Sequence, residues 1–258
     1  MESNNSNLRQ YDVDSTQYQF YERLYYNQSL EFVLSQKEKY SKCNNIEMTI
    51  IEALDKLNDF IDPSDPDLPD IPNIIHAYQT AEQIRKKYPS DKPLQLTGLI
   101  HDLGKVLFIL GEPDYSVVGD TFVVGAKIPE SVVCYNKNMI NGYDDLGIYR
   151  KHCGLSKLNL SYGHDEYLYQ VLKYNSGLHS LPEYCLNIIR YHSFYPWHTQ
   201  NEYKDFMKRE DYTILEDVRK FNEFDLYSKE EKFVLTDDIK KYYEDLIKEY
   251  LSLEKYKF

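Results

Sequence analysis

The sequence predicts a mainly α, single-domain protein with a helical-bundle architecture over residues 1–258. Apolar and aromatic residues recur at helical spacing along most of the chain, whereas glycine and proline are concentrated in a few segments. We find no internal repeat and no long low-complexity linker, which favours one domain. The polar residues 1–10 are expected to form a flexible N-terminal tail.

Helical periodicity predicts the elements in order along the chain. A proline-rich segment at 62–73 excludes regular structure, and Asn73 is expected to cap the helix that follows it. Residues 115–135 are β-branched, aromatic and glycine-rich, which predicts short strands or extended loops there. The predicted helices cover approximately 17–40, 46–60, 93–110, 163–174, 182–192, 202–209, 212–224 and 237–250, and a further one follows Asn73 and carries Ile74, Ile75, His76 and Tyr78.

The composition and charge of the chain argue against several classes of function. The chain is 42% hydrophobic and 28% charged, which is typical of a soluble globular protein. No apolar run approaches the ~20 residues that span a bilayer, and the N-terminus does not resemble a secretory signal. We therefore expect a cytoplasmic protein that does not bind membranes. The four cysteines lie far apart and are expected to be reduced. A net charge of −12 with scattered lysines argues against nucleic-acid binding. We expect a monomer.

The histidines indicate a metal site. Five of the seven lie in or beside apolar helical segments, namely His76, His101, His164, His192 and His198. Any one of these alone would be more typical of a hydrogen-bonded core histidine. The interpretation depends on the set, which offers imidazoles and carboxylates without thiolates. Such ligands suit iron or manganese better than a structural zinc.

The adjacent pair His101-Asp102 indicates a dinuclear site. It follows apolar residues on a helix that should be buried, where an uncompensated carboxylate costs several kcal/mol. A cation supplies the compensation. Neighbouring side chains diverge by ~100° around a helix, so Asp102 is better placed to bridge two metals while His101 binds one. Lys105 lies on the same helical face, where it requires an anionic substrate group or hydroxide between itself and the metals.

The order of the motifs resembles a known family. His76, His101-Asp102 and Asp225 resemble the ligand pattern of the HD-domain superfamily, in which several helices supply metal ligands. The wider segments resemble the myo-inositol oxygenase family from about residue 8 to 250. They are IPNIIHAYQTAEQIRK, LTGLIHDLGKVLFILGEP, VVGDTF, SYGHDEYLYQVLKYN, IIRYHSFYPWHT and VRKFNEFDLYSK.

The resemblance implies an HD-domain-like enzyme that cleaves the ring of myo-inositol with O₂ to give D-glucuronate. It implies two iron ions in an Fe(II)/Fe(III) state. One is held by His76, His101 and Asp225, the other by His164 and His192, and Asp102 bridges them. It gives Lys105 and Asp102 catalytic roles. The implied substrate-binding residues are Arg9, Asp62, Ser64, Lys105, Gly119, Asp120, His192 and Ser193. The chain departs from the family at Asp62-Pro63-Ser64, where aspartate-glutamate-serine is common, and by a residue inserted before Ile71.

Other residues have competing interpretations. Asp165 is expected to lie outside the ligand set. His198 is either a hydrogen-bonded histidine of an aromatic loop or a support for the metal ligands, and His152 and His179 are expected to be solvated. An HD-type phosphohydrolase of a nucleotide or phosphate ester would use the same metal ligands. It is disfavoured because Arg190 is the one basic residue near the ligands besides Lys105, whereas phosphate sites usually combine metals with several Arg or Lys. A purely structural metal is disfavoured because the candidate ligands exceed one tetrahedral site.

Overall fold

The computed structural model describes residue 9 and residues 11–64, 72–136, 139, 141–225 and 233–258. This part of the chain contains ten α-helices and one two-stranded sheet, so the mainly α prediction is confirmed. Apart from Arg9, the expected N-terminal tail lies outside the described residues, and so does the insertion before Ile71.

Most helices follow one another with short connections, but long segments separate the third α-helix from the fourth and the fifth from the sixth. Strands β1 and β2 pair antiparallel, Glu47 with Lys257 and Met48 with Tyr256. The elements are α1 Thr16–Asn27, α2 Leu30–Tyr40, β1 Glu47–Met48, α3 Ile50–Lys56, α4 Asn73–Lys87, α5 Lys92–Ile100, α6 His164–Tyr174, α7 Glu183–Tyr191, α8 Tyr195–His198, α9 Asp211–Asp225, α10 Asp237–Tyr250 and β2 Tyr256–Lys257. Short 3₁₀ helices lie at Leu57–Asp59, Leu103–Leu110, Asp114–Ser116, Leu155–Lys157, Ser176–Leu178 and Lys204–Phe206.

Several expectations about helix boundaries were wrong; the helix predicted at 46–60, for example, begins only at Ile50, after strand β1. The first predicted helix is two helices, because the Ser29 hydroxyl accepts from the Phe32 amide at 3.1 Å and begins α2 anew. The helix predicted at 202–209 is only the 3₁₀ turn Lys204–Phe206. Asn73 does not cap α4 but is its first residue. Its side-chain amide instead donates to the Phe60 carbonyl at 2.7 Å, across from the proline-rich segment.

The segment predicted as one helix over 93–110 changes its winding at the histidine–aspartate pair. The α-helix α5 ends at Ile100, and a 3₁₀ helix begins at Leu103. Asp102 at the junction has φ −92° and ψ 1°, outside the α-helical region. A Cβ atom on Gly104 would lie 2.0 Å from the His164 carbonyl oxygen. Glycine at this position therefore lets the 3₁₀ helix approach the first turn of α6 closely.

Residues 117–135 form loops and turns, after the 3₁₀ helix Asp114–Ser116, so the loop alternative is closer than the strand alternative. All of these residues are described, and none belongs to a named strand. A single β-bridge joins Val123 to Leu160. The β-sheet lies elsewhere, between β1 and β2, where sequence periodicity did not predict it. The valines at 117, 118 and 123 are buried, so they pack as core residues of a loop.

Helix α5 is central to the packing. It contacts α4, α7, α9 and α10. Contrary to the expectation about apolar runs, Lys92–Leu110 is long and apolar enough to cross a membrane, with a mean hydropathy of 1.2. However, 78% of this segment is buried inside the fold, which is typical of a core helix. The buried side chains form two clusters. His101 lies where they meet, since its ring contacts Phe221 of the smaller cluster while Ile100 belongs to the larger one.

Candidate metal centre and substrate site

The six predicted metal ligands converge from separate elements of the fold. All lie at or near helix ends, and His76 lies in the first turn of α4. His101 and Asp102 lie at the junction after α5, His164 begins α6, His192 follows α7, and Asp225 ends α9. Their side chains are largely removed from water, with His76 the most exposed at 17%. Helix ends bring the side chains together without interrupting the helices that carry them.

Two half-sites are visible in the distances. We call His76, His101 and Asp225 the α4/α9 half-site. Its Asp225 Oδ1 lies 3.0 Å from His76 Nε2 and 3.2 Å from His101 Nε2. We call His164 and His192 the α6/α7 half-site. Their Nε2 atoms lie 3.2 Å apart.

Asp102 lies between the half-sites. One carboxylate oxygen, Oδ1, is 3.3 Å from His164 Nε2 and 3.7 Å from His192 Nε2. The other oxygen, Oδ2, is 3.5 Å from His101 Nε2 and 2.9 Å from Lys105 Nζ. Each oxygen thus faces a different half-site, as a bridging carboxylate requires. Burial alone would raise the pKa of Asp102, but His101 and Lys105 hold it well below its usual range. Asp102 is therefore ionised.

The hydrogen bonds of the histidine rings indicate that this donor set fits a metal. The Nδ1 atoms of His101, His164 and His192 lie 2.8–2.9 Å from backbone carbonyl oxygens. A carbonyl only accepts, so Nδ1 carries the proton in each ring and the Nε2 lone pair points into the cluster. Two such lone pairs facing each other at 3.2 Å repel unless a cation lies between them. Ligating histidines commonly hold their second nitrogen in this way.

Asp165 lies closer to the cluster than the sequence predicted. Its Oδ1 is 2.8 Å from His164 Nε2 and 3.5 Å from His192 Nε2, so His164, Asp165 and His192 form one of the groups that could hold a metal ion. The Ser193 hydroxyl also donates to Asp165 Oδ1 at 3.1 Å. The signal in the sequence for this proximity was the second adjacent His-Asp pair, at 164–165. The expectation that Asp165 is not a ligand stays a prediction.

Lys105 forms a buried ion-pair network at the cluster. Besides contacting Asp102, its Nζ atom lies 3.0 Å from Asp62 Oδ2 and 3.1 Å from Asn73 Oδ1. Burial would lower the pKa of Lys105, but the carboxylates of Asp102 and Asp62 raise it above its ordinary value. The amine is therefore charged and fixed beside the bridging carboxylate. Sequence reasoning missed Asn73 as its partner, because the pattern there indicated only a helix start.

Three of the substrate-binding residues predicted from the family, Asp62, Ser64 and Ser193, lie next to Lys105 or to the cluster. Asp62 Oδ1 accepts from the Ser64 amide at 2.9 Å and from the Ser64 hydroxyl at 2.5 Å. Ser193 follows His192, and its hydroxyl lies 3.4 Å from His164 Nε2. The geometry therefore brings hydroxyl and carboxylate groups to both half-sites.

Arg9 is not a solvated tail charge. Its guanidinium donates to Asp120 Oδ1, which also accepts from the Tyr21 hydroxyl at 2.8 Å. The guanidinium lies 4.9 Å from the centre of the Tyr195 ring, and the Tyr195 hydroxyl is 3.5 Å from Asp225 Oδ2. A chain of contacts thus joins Arg9 to a metal ligand. Sequence reasoning missed Tyr21 and Tyr195, because tyrosines are so numerous that no pattern separated them.

Gly119 supports the loop that presents Asp120. Its φ is +102°, a conformation that favours glycine, and a Cβ atom there would lie 2.9 Å from the ring of Phe20. A cavity of about 740 Å³ is lined by Tyr25, Phe122, Ile128 and their neighbours. None of the predicted site residues lines that cavity. We place the chemistry at the buried cluster, where the titratable groups converge.

Fold and site together define a helical protein with a buried cluster of histidines and aspartates from several helices that could hold metal ions. The myo-inositol oxygenase family model matches residues 14–258, and the chain belongs to this family. It is 43% identical to inositol oxygenase of Homo sapiens over 89% of this chain and 82% of that protein. It is 45% identical to inositol oxygenase 1 of Arabidopsis thaliana over 94% and 82%. With inositol oxygenase of Danio rerio it shares 39% identity over 95% and 90%.

Proposed function

We propose that this chain is an inositol oxygenase that cleaves the ring of myo-inositol with O₂ and releases D-glucuronate, with two iron ions as its cofactor. The observation that carries the proposal is the buried cluster of four histidines and two aspartates inside the region that matches the family. His76, His101 and Asp225 would hold one iron, and His164 and His192 the other. Asp102 would bridge the pair.

The bound irons would supply Lewis acidity toward a substrate hydroxyl and one-electron redox chemistry with O₂. Lys105 acts on the same hydroxyl. Its charged amine is fixed by Asp62 and Asp102 within a buried region, so it stabilises negative charge as the hydroxyl loses its proton. Because the ion pairs hold the amine before substrate enters, little reorganisation is needed.

The remaining polar groups suit a neutral polyol. Myo-inositol presents only hydroxyl groups, so its recognition depends on many donors and acceptors in fixed positions. Ser64, Ser193 and Asp120 provide such groups around the cluster, and Asp62 orients Ser64. Arg9 is paired with Asp120, which reduces the net charge that the pocket presents. This distribution favours an uncharged substrate.

The phosphohydrolase alternative loses the second cation that it would need beside Lys105. Arg190 was the basic residue that the sequence placed near the ligands. Its Nε atom donates to Glu166 Oε2 at 2.8 Å, and its guanidinium lies 4.5 Å from the centre of the Tyr169 ring. Arg190 is therefore occupied in a buried ion pair and does not offer a phosphate site.

Oxygen uptake and product formation in one sample test the proposal. We expect one O₂ consumed per D-glucuronate formed from myo-inositol by the iron-loaded protein, and no turnover after replacement of iron by zinc or magnesium. An oxygen electrode and a uronic-acid assay measure both quantities. Phosphate release from nucleotides without oxygen uptake would establish the hydrolase instead.

We further propose a monomeric enzyme of the cytoplasm. All four cysteines are unpaired, and Cys43 and Cys185 are buried, which fits a reducing compartment. Light scattering coupled to size-exclusion chromatography would measure the mass of the particle, with 30.7 kDa expected for the monomer.

A further inference from the structure

His198 is a buried histidine that the proposed metal centre does not use. It ends the short helix α8 and is 2% exposed. Its Nε2 atom lies 2.9 Å from the backbone carbonyl oxygen of His192, and the Thr199 hydroxyl lies 3.0 Å from its Nδ1. Both ring nitrogens are therefore occupied, and one of them contacts the backbone of a predicted metal ligand.

The ring of His198 has the opposite tautomer from the predicted ligands. Because the His192 carbonyl only accepts, Nε2 of His198 carries the proton, and Nδ1 accepts from the Thr199 hydroxyl. In His192 itself the proton is on Nδ1, which donates to the Ile189 carbonyl at 2.9 Å. The Nε2 atom of His198 is thus committed to the backbone, which excludes the residue as a ligand in this arrangement.

The contacts of His198 continue to the helix that carries the other half-site. The Arg219 side chain on α9 donates from Nε to the His198 carbonyl at 2.6 Å. Asn222, also on α9, has its side-chain amide 3.4 Å from the His192 carbonyl oxygen. Helix α9 ends at Asp225, a ligand of the α4/α9 half-site. A path of hydrogen bonds therefore runs from His192 through His198 to the helix of Asp225.

We propose that His198 is a positioning residue that holds His192 at a set distance from α9, so that both half-sites keep the separation a metal pair needs. The inference rests on the proposed function, since it assumes that His192 and Asp225 are ligands. Partners that hold ligating residues typically contribute about 10- to 100-fold to metal affinity or activity. The carbonyl that His198 contacts belongs to the ligand residue itself, so displacement of one moves the other.

A three-variant comparison tests the inference. His198→Ala removes the donor, whereas His198→Gln offers a side-chain amide that can donate to the same carbonyl. His179→Ala is the matched control, because His179 Nε2 donates to the Leu172 carbonyl at 3.0 Å without contacting any predicted ligand. Titration of Fe(II) into metal-free protein measures affinity, and magnetic spectroscopy of the oxidised, iron-loaded protein measures coupling between the metals.

We expect His198→Ala to bind its second iron about 10- to 100-fold more weakly and to lose magnetic coupling. The glutamine variant should recover most of both, and the His179 variant should match the unmodified protein. Turnover number should fall more than KM rises in His198→Ala. If the alanine variant fails to fold, the glutamine variant decides the question. Magnetic coupling within threefold of that of the unmodified protein then supports the inference, and loss of the coupling contradicts it.

Two failures can be told apart. If the unmodified protein binds two coupled irons but does not oxidise myo-inositol, the proposed function is wrong while the positioning role of His198 can still be measured. If inositol is oxidised but His198→Ala binds iron and couples it normally, the positioning inference alone is wrong. Equal damage from the His198→Gln and His198→Ala variants also contradicts it.

Discussion

The two half-sites of the metal centre differ in how negative charge is supplied. In the α4/α9 half-site, Asp225 lies between His76 and His101 and faces both rings. In the α6/α7 half-site the two imidazoles face each other, and the carboxylate predicted to serve them, Asp102, is shared with His101 and Lys105. With Asp165 outside the ligand set, as the sequence predicts, a metal in the α6/α7 half-site would keep more uncompensated positive charge, which would favour binding a substrate hydroxyl as its alkoxide.

The predicted ligands also leave different numbers of open positions. Counting the shared Asp102, four protein ligands surround the α4/α9 half-site and three surround the α6/α7 half-site. Catalytic metals keep an open position for substrate, whereas closed sites hold their metal more tightly. On the predicted ligand set, the α4/α9 half-site would anchor its metal, and the α6/α7 half-site would be the better place for chemistry.

Removal of the shared carboxylate of Asp102 should have the largest effect on metal binding and turnover, because it damages both half-sites and so removes the difference between them. Loss of a single electrostatic group in an active site costs about 10²–10³ in turnover. We expect Asp102→Ala to exceed this and to lose or uncouple both metals. Asp165→Asn is the matched control and should retain both. Iron analysis and magnetic spectroscopy of both variants check the prediction. If the two irons are still coupled in Asp102→Ala, a group other than Asp102 bridges them.

Partial removal of metal should distinguish the half-sites. With three predicted ligands instead of four, the α6/α7 half-site should lose its iron first when a chelator is added. Activity should then disappear while about one iron per chain remains, and His192→Ala should imitate this state. A time course of iron content against activity makes the measurement. Simultaneous loss of both irons would show that the half-sites are not independent.

Substitution of Lys105 should affect turnover without removing metal. Lys105→Ala deletes the buried charge beside Asp102 Oδ2. We expect transition-state stabilisation to fall by about 2–4 kcal/mol, with lower turnover and a higher KM for myo-inositol. Lys92→Ala is the control, since Lys92 is exposed and pairs with Glu249 on the surface. Kinetics like those of the unmodified enzyme would mean that the amine does not act on substrate.

Substitution of Gly104 by alanine should have the smallest effect, a slight increase in the distance between the half-sites. The added methyl group of Gly104→Ala would clash with the His164 carbonyl, so the 3₁₀ helix and α6 must move apart. Overpacking of this kind costs about 1–3 kcal/mol of folding free energy. We expect a lower unfolding temperature and weaker coupling of the metals. Gly177→Ala, where no atom lies within 4 Å, should change neither.

The sequence by itself determined the helical class and the chemistry of the candidate site. Helical periodicity placed α10 at its observed bounds, because each turn repeats the same contacts with the core. The histidine–aspartate pair at 101–102 was recognisable because a buried carboxylate beside an imidazole needs compensation wherever the helix lies. Such inferences require only near neighbours in the chain. The family resemblance supplied the ligand set as an expectation.

Only the tertiary structure decided which distant groups meet. Arg9 contacts Asp120 across 111 positions, and Asp225 faces His76 across 149. The roles of Asn73 and Tyr195 and the proximity of Asp165 to the cluster depend on such packing. The break in winding at His101 and Asp102 also follows from it, since the 3₁₀ helix must fit against α6 at Gly104. Periodicity records which face of a helix is buried, but the partner of that face is set by the packing of the whole chain.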